Sequence, residues 1–169
     1  MPRAILIGPP GSGKSTVGKS LAKRLKCDFV DTDAVIEADS GKKISEIFIE
    51  DGEPFFRKLE ESAVSSCIQS AHGIVALGGG AVLSPLTQEL LSPLRASVIL
   101  LNVSISQAAP RVGFNRERPL LAVNPRQQWQ LLAEKRAPIY KSLAGFEIST
   151  DSMKPQEVAE EIAKYLEAL

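Results

Sequence analysis

The residues with the plainest chemical meaning are Gly8-Pro9-Pro10-Gly11-Ser12-Gly13-Lys14-Ser15-Thr16, which fit G-x-x-x-x-G-K-[ST]. Glycines let such a loop curl around an anion with its N–H groups turned inward. The helix that follows adds partial positive charge at the same point. Lys14 is placed to reach the β- and γ-phosphates, and the Ser15 hydroxyl to complete a Mg²⁺ shell. The loop from Gly11 through Ser12, Gly13, Lys14, Ser15 and Thr16 is therefore expected to hold the phosphates of ATP or a similar nucleotide. A chance glycine-rich turn would lack the lysine, the serine and the flanking strand and helix. The motif does not say where the phosphoryl group goes.

Acceptor chemistry is sought among residues that reach the same crevice. Asp31 and Asp33 alternate at the end of a short apolar strand, so both can face one side. Phosphoryl transfer to an alcohol needs a Mg²⁺-directed carboxylate and an acceptor for the hydroxyl proton. The alternative is that Asp33 merely caps a helix beginning at Ala34. Gly78, Gly79 and Gly80 allow backbone N–H groups to approach a ligand closely, unless they form only a turn. Arg57, Arg118 and Arg136 suit a carboxylate or phosphate if they converge, through the planar guanidinium fork. Singly, each is a solvated arginine of little energetic weight.

The elements that must position these groups follow from periodicity and punctuation. Strands are predicted over residues 3–7, 28–31, 73–77, 97–102 and 146–149. Helices are predicted from the P-loop to residue 26, then over 34–39 (with Gly41 just beyond its end) and 45–49 behind a Ser45 cap. Further helices are predicted over 54–71, 85–91 behind a Ser84 cap with Pro85 first, 104–112, 124–143 and 155–169. Pro110 lies inside the sixth of these, where a proline is expected to kink or shorten a helix. Residues 113–123 show no period. Strands alternating with helices predict a five-stranded parallel sheet with helices on both faces, with the strand order left open. The P-loop, Asp31-Thr32-Asp33 and the triple glycine each follow a strand, so all three belong at the carboxyl edge, where such sheets bind ligands.

Composition limits the alternatives. The 169 residues suit one domain, and 44% hydrophobic with 24% charged residues is ordinary for a soluble protein. Lys+Arg and Asp+Glu both total 20, so the zero net charge gives no support for nucleic acid or an anionic membrane as partner. The first strand begins almost at once, so no signal peptide is expected, and no apolar run is long enough to span a bilayer. Cys27 and Cys67 read as reduced thiols, and with them a cytoplasmic address is expected. At this size a monomer is the default. His72 and Trp129 read as structural.

With these residues in view, the chain resembles the bacterial shikimate kinases along essentially its whole length. The matching stretches are GPPGSGKST at 8–16, DTD at 31–33, DGEPFFRKLE at 51–60, LGGGAV at 77–82, RPLL at 118–121 and KRAPIY at 135–140. The P-loop is widely shared; the others, in this order and spacing, are much more specific. The resemblance implies a P-loop three-layer αβα sandwich with a mobile lid near 113–123 and a substrate-binding helical segment near 33–60. It implies transfer of the γ-phosphoryl group of MgATP to the 3-hydroxyl of shikimate, within aromatic amino acid biosynthesis. Lys14 is implied as the phosphate-binding lysine, Ser15 and Asp31 as the Mg²⁺ site, and Asp33 as the base on the reacting hydroxyl. Arg57 and Arg136 are implied as the clamp on the shikimate carboxylate, with Glu60 orienting Arg57. Gly78, Gly79 and Gly80 are implied at the other hydroxyls, Phe48 and Phe56 as walls of the ring site, and Arg118 as the lid arginine. Arg111 matches a position beside the adenine. Where the family often places an arginine after the last strand, this chain has Met153 and Lys154, so Met153 is the expected contact to the base. The rival readings are a nucleoside monophosphate kinase, a gluconate kinase or, in another class, a non-catalytic nucleotide-binding module.

Overall fold

The computed structural model describes residues 1–112 and 124–169. The expected lid at 113–123, with Arg118 and the RPLL stretch, lies outside the described residues. Five strands form one parallel sheet: β1 (Ala4–Ile7), β2 (Phe29–Asp31), β3 (Ile74–Ala76), β4 (Val98–Asn102) and β5 (Phe146–Ser149), in the order β2-β3-β1-β4-β5. β1 is central, with Ile5 opposite Val75 on one side and Val98 on the other. Because every pairing is parallel, all five carboxyl ends lie along one edge.

Alternation along the strands divides the core in two. Ile5, Ile7, Val75, Val98 and Leu100 point to one face. They pack there against α4 (Glu53–Ser70), α5 (Pro85–Leu91) and α7 (Pro125–Leu143). Ala4, Leu6, Ala76, Ile99 and Leu101 point the other way, onto α1 (Lys14–Leu25) and α8 (Pro155–Glu167). Each fully buried aliphatic side chain contributes about 1.5–3 kcal/mol relative to exposure. A three-layer sandwich results, as expected. A third, smaller cluster of Ile36, Ile47, Phe56 and Ala63 joins α2 (Thr32–Ser40), α3 (Ile44–Glu50) and α4 beside the sheet. Ala108, Val112 and Trp129 join α6 (Ile105–Val112) to α7. Among the described residues no helix is long and apolar enough to cross a membrane.

Three local expectations are corrected. α2 begins at Thr32 rather than Ala34, with Asp31 as its cap: the Asp31 carboxylate accepts from the Asp33 N–H at 3.1 Å. Asp33 therefore sits in the first turn and does not cap the helix. α3 begins after Lys43 and not behind a Ser45 cap; the Glu46 carboxylate accepts from the Lys43 N–H at 2.8 Å, and Glu37 accepts from Ile44 at 3.1 Å. Finally, short 3-10 turns at Ala81–Leu83 and Ser92–Ser97 had no signal in the sequence reading. The Ser84 cap is present, accepting from the Thr87 N–H at 3.4 Å. α6 carries Pro110 and still reaches Val112.

Candidate active site

The P-loop leaves β1 and enters α1 with positive φ at Gly8, Gly11 and Gly13, which makes it a tight backbone cradle at the helix N-terminus. The Lys14 ammonium folds over the loop, donating to the carbonyls of Gly8 at 2.8 Å and Pro9 at 3.0 Å. Ser12 is fully buried beneath it, while Ser15 and Thr16 face outward from the first turn of α1. Arg111 spans the neighbouring loops, donating to the Gly11 carbonyl at 3.3 Å and to the Thr150 hydroxyl at 3.1 Å. Met153 packs against the α1 and α8 core, in the same loop after β5.

The Ser15 hydroxyl donates to the Asp31 carboxylate at 2.5 Å, joining the P-loop to the end of β2. Two hard oxygen donors side by side suit Mg²⁺, which takes one or two protein oxygens and completes its shell with phosphate and water. Asp33 lies one residue beyond Thr32, whose hydroxyl accepts from the Gly78 N–H at 3.1 Å in the buried interior. That bond ties the strand end to the triple glycine.

Here the glycines serve the site's own side chains. A Cβ on Gly78 would stand 2.7 Å from both Asp33 Oδ1 and Glu60 Oε1, and one on Gly80 would stand 2.4 Å from Arg57 Nη1. None of the three has positive φ, so it is close approach and not an unusual turn that requires them. Arg57 donates to Glu60 at 2.6 Å and to Glu53 at 3.0 Å, and its guanidinium lies 5.4 Å from the Phe56 ring centroid. Phe48 meets Phe56 with centroids 4.7 Å apart. Arg136 is only 4% exposed, and its Nε has no partner among the described residues.

These groups enclose a cleft of about 480 Å³, lined by Pro10 and Ser15 from the donor side and by Asp33, Arg57, Gly79 and Arg136 from the other. Its electrostatics are those of a half-dry cluster. Burial pushes the Glu60 carboxyl above its ordinary value and Asp33 adds to the rise, while Arg57 and Arg136 oppose it. Burial also works against the charge on Arg57, but Glu60 and Glu53 more than offset it, so that group is held still more firmly protonated. The Tyr140 hydroxyl is pushed up to about 12 by burial, against the pull of nearby Arg136. It stays a donor, and donates to the Gly79 carbonyl at 2.5 Å.

The structure thus brings together Lys14, Ser15, Asp31, Asp33, Phe48, Phe56, Arg57, Glu60, the triple glycine and Arg136. Arg111 and Met153 sit apart from the cleft, by the loop after β5; Arg118 is outside the described residues. Two buried aromatic side chains on α7 reach the loops of this site. Trp129, expected to be structural, is buried between α6 and α7, and its indole N–H donates to the Pro10 carbonyl of the P-loop at 2.7 Å. Tyr140, within the KRAPIY stretch, lies one helical turn after Arg136, and that spacing is its signal in the sequence.

Comparison with known proteins identifies the family. A shikimate kinase family profile matches residues 10–167. A shikimate kinase of Thermobifida fusca is 50% identical over 167 residues, covering 99% of this chain and 96% of that one. One from Rhodococcus jostii is 45% identical over 166 residues, covering 98% of both chains. The solved structure of an Acinetobacter baumannii shikimate kinase in complex with shikimate superposes with a TM-score of 0.92 at 32% identity, over 98% of this chain and 92% of that one.

Proposed function

The chain belongs to the shikimate kinase family and transfers a phosphoryl group from ATP to shikimate, and we propose that the γ-phosphoryl passes to the 3-hydroxyl across the cleft described above. The observation that carries the assignment of residues is the buried Arg136 guanidinium, with an unpartnered Nε, in the same cleft as Asp33 and Arg57. A desolvated guanidinium of this kind calls for an anion, and the planar fork suits a carboxylate. Arg57, aligned by Glu60 and Glu53, is the second half of the clamp. Gripping an acid group remote from the reacting hydroxyl turns binding into orientation, which is where catalysis of this kind gains most.

Asp33 then faces the hydroxyl as the group that accepts its proton. Gly79 and Gly80 present backbone to the remaining hydroxyls, and Phe48 and Phe56 wall the ring. On the donor side the P-loop amides and Lys14 hold the β- and γ-phosphates, with Arg111 and Met153 toward the base. Ser15 and Asp31 would hold Mg²⁺, which when bound spreads the negative charge of the phosphates. Arg118 is assigned to the transferring group by its place in the RPLL stretch. The reading is tested by ADP release from ATP with shikimate, gluconate and AMP offered in turn. Release is expected to depend on shikimate; dependence on gluconate or AMP instead would overturn it.

A further inference from the structure

Helix α7 does more than carry Arg136. Trp129, Arg136 and Tyr140 are spaced to share one face, and all three are buried. The Trp129 indole N–H donates to the Pro10 carbonyl at 2.7 Å, and the Tyr140 hydroxyl donates to the Gly79 carbonyl at 2.5 Å. One helix therefore grips a single carbonyl in the donor loop and a single carbonyl in the acceptor loop. These loops meet each other at that point, since a Cβ on Gly79 would stand 3.2 Å from Pro10 Cδ.

Each grip fixes more than an oxygen. No peptide among the described residues is cis, and in a trans peptide the C=O and the following N–H point in opposite directions. Holding the Pro10 carbonyl sets the direction of the Gly11 N–H, which belongs to the phosphate cradle. Holding the Gly79 carbonyl sets the Gly80 N–H, at the residue packed against the Arg57 guanidinium. The Tyr140 hydroxyl is held protonated by burial, so titration near neutral pH does not remove this donor. Between the two grips Arg136 enters the cleft, so the carboxylate clamp is registered to both loops by the same rigid element.

We propose that Trp129 and Tyr140 are positioning residues that set the separation between phosphoryl donor and acceptor by holding the Pro10 and Gly79 peptides from one face of α7. This rests on the reading that both substrates meet in this cleft. A misplacement on the order of 1 Å between reacting groups costs about a hundredfold in rate. Loss of one grip in a packed site, where movement is partial, is expected to cost about tenfold. The test uses Tyr140→Phe, Trp129→Phe and the double variant of the full chain. Each single variant should lower kcat about tenfold, while the affinities for shikimate alone and MgATP alone, measured by calorimetry, stay within about twofold. The double variant should lose little more than either single one, because both grips hold the same gap. A kcat within about twofold of the parent in either single variant, multiplicative losses, or losses matched by weaker binding of each ligand alone would overturn the proposal.

A measurement on the unmodified protein guards against poor folding of the variants. Trp129 is the chain's single tryptophan, so its emission reports on the grip directly. Shikimate alone should change that emission, passed on through Gly79 and Pro10; an unchanged spectrum at saturation would count against the proposal. If the parent enzyme shows no shikimate-dependent ADP release, the reading of the function fails. Parent turnover with unaffected variants removes only this inference.

Discussion

The donor and acceptor halves of the cleft solve the same problem, holding an anionic substrate, with different materials. The donor half is mostly backbone: a glycine loop with positive φ, a helix N-terminus and one lysine lying over the loop's own carbonyls. The acceptor half is mostly side chain, with two carboxylates and the Arg57 guanidinium crowded against glycines that leave them room, and a second guanidinium, Arg136, lining the same cleft. Backbone donors recognise any triphosphate, since every phosphate offers the same oxygens. On the proposed roles, charged side chains aimed by one another recognise one shape of acid and alcohol. Generic recognition and specific recognition are thus physically separate in this molecule, and each can be damaged alone.

The sharpest test of that separation is Asp33→Asn. With Asp33 proposed as the proton acceptor, this change removes it and leaves the donor cradle whole, so kcat is expected to fall by about a thousandfold with the KM for ATP nearly unchanged. Steady-state kinetics decide it, and an intact kcat would remove Asp33 from the chemistry. Arg136→Ala is next in size. Charge-assisted hydrogen bonds contribute about 1.5–3 kcal/mol, so the KM for shikimate should rise about 10- to 100-fold while that for ATP moves less than about twofold. Equal rises in both constants would dissolve the distinction between the halves.

The smallest effect concerns Glu60, the carboxylate between Arg57 and Asp33. Burial holds its folded pKa above the ordinary 4.5, so in the window between the two the folded protein binds a proton that the unfolded chain does not. Stability then rises as pH falls through that window, the reverse of an ordinary paired carboxylate. Relative to Glu60→Gln, which cannot titrate, the unmodified protein should gain about 1–3 °C in melting temperature as the pH is lowered from about 7 toward the unfolded value. A relative loss over that range would mean that Arg57 dominates and that Glu60 behaves as a simple salt-bridge partner.

What was legible in the sequence follows the same division. The P-loop could be read because its backbone demands show directly as glycines, a lysine and a serine at fixed spacing. Strands and helices were legible where apolar period and caps coincide, as at Ser84 and Pro85. The start of α2 was not, because it depends on Asp31 capping Asp33 while Thr32 is engaged by Gly78 from a distant loop. The start of α3 was likewise set by Glu37, on the preceding helix. The triple glycine was read as backbone offered to a ligand; that Gly78 and Gly80 also make room for Asp33, Glu60 and Arg57 needed the tertiary structure. Trp129 and Tyr140 look like core aromatics in a linear sequence, as they are, and only the tertiary structure shows that their polar atoms reach Pro10 and Gly79.

The small cluster of Ile36, Ile47, Phe56 and Ala63 carries one further consequence. It lies beside the two sheet-backed clusters, and α2 and α3 depend on it. Local unfolding proceeds through units with few buried apolar contacts. Among the described clusters, this one and that of Ala108, Val112 and Trp129 bury the fewest apolar side chains, so α2 and α3 are expected to open before the strands of the sheet. Beyond Asp33, that segment of α2 and α3 could be re-sculpted for another hydroxy acid with the P-loop left unchanged.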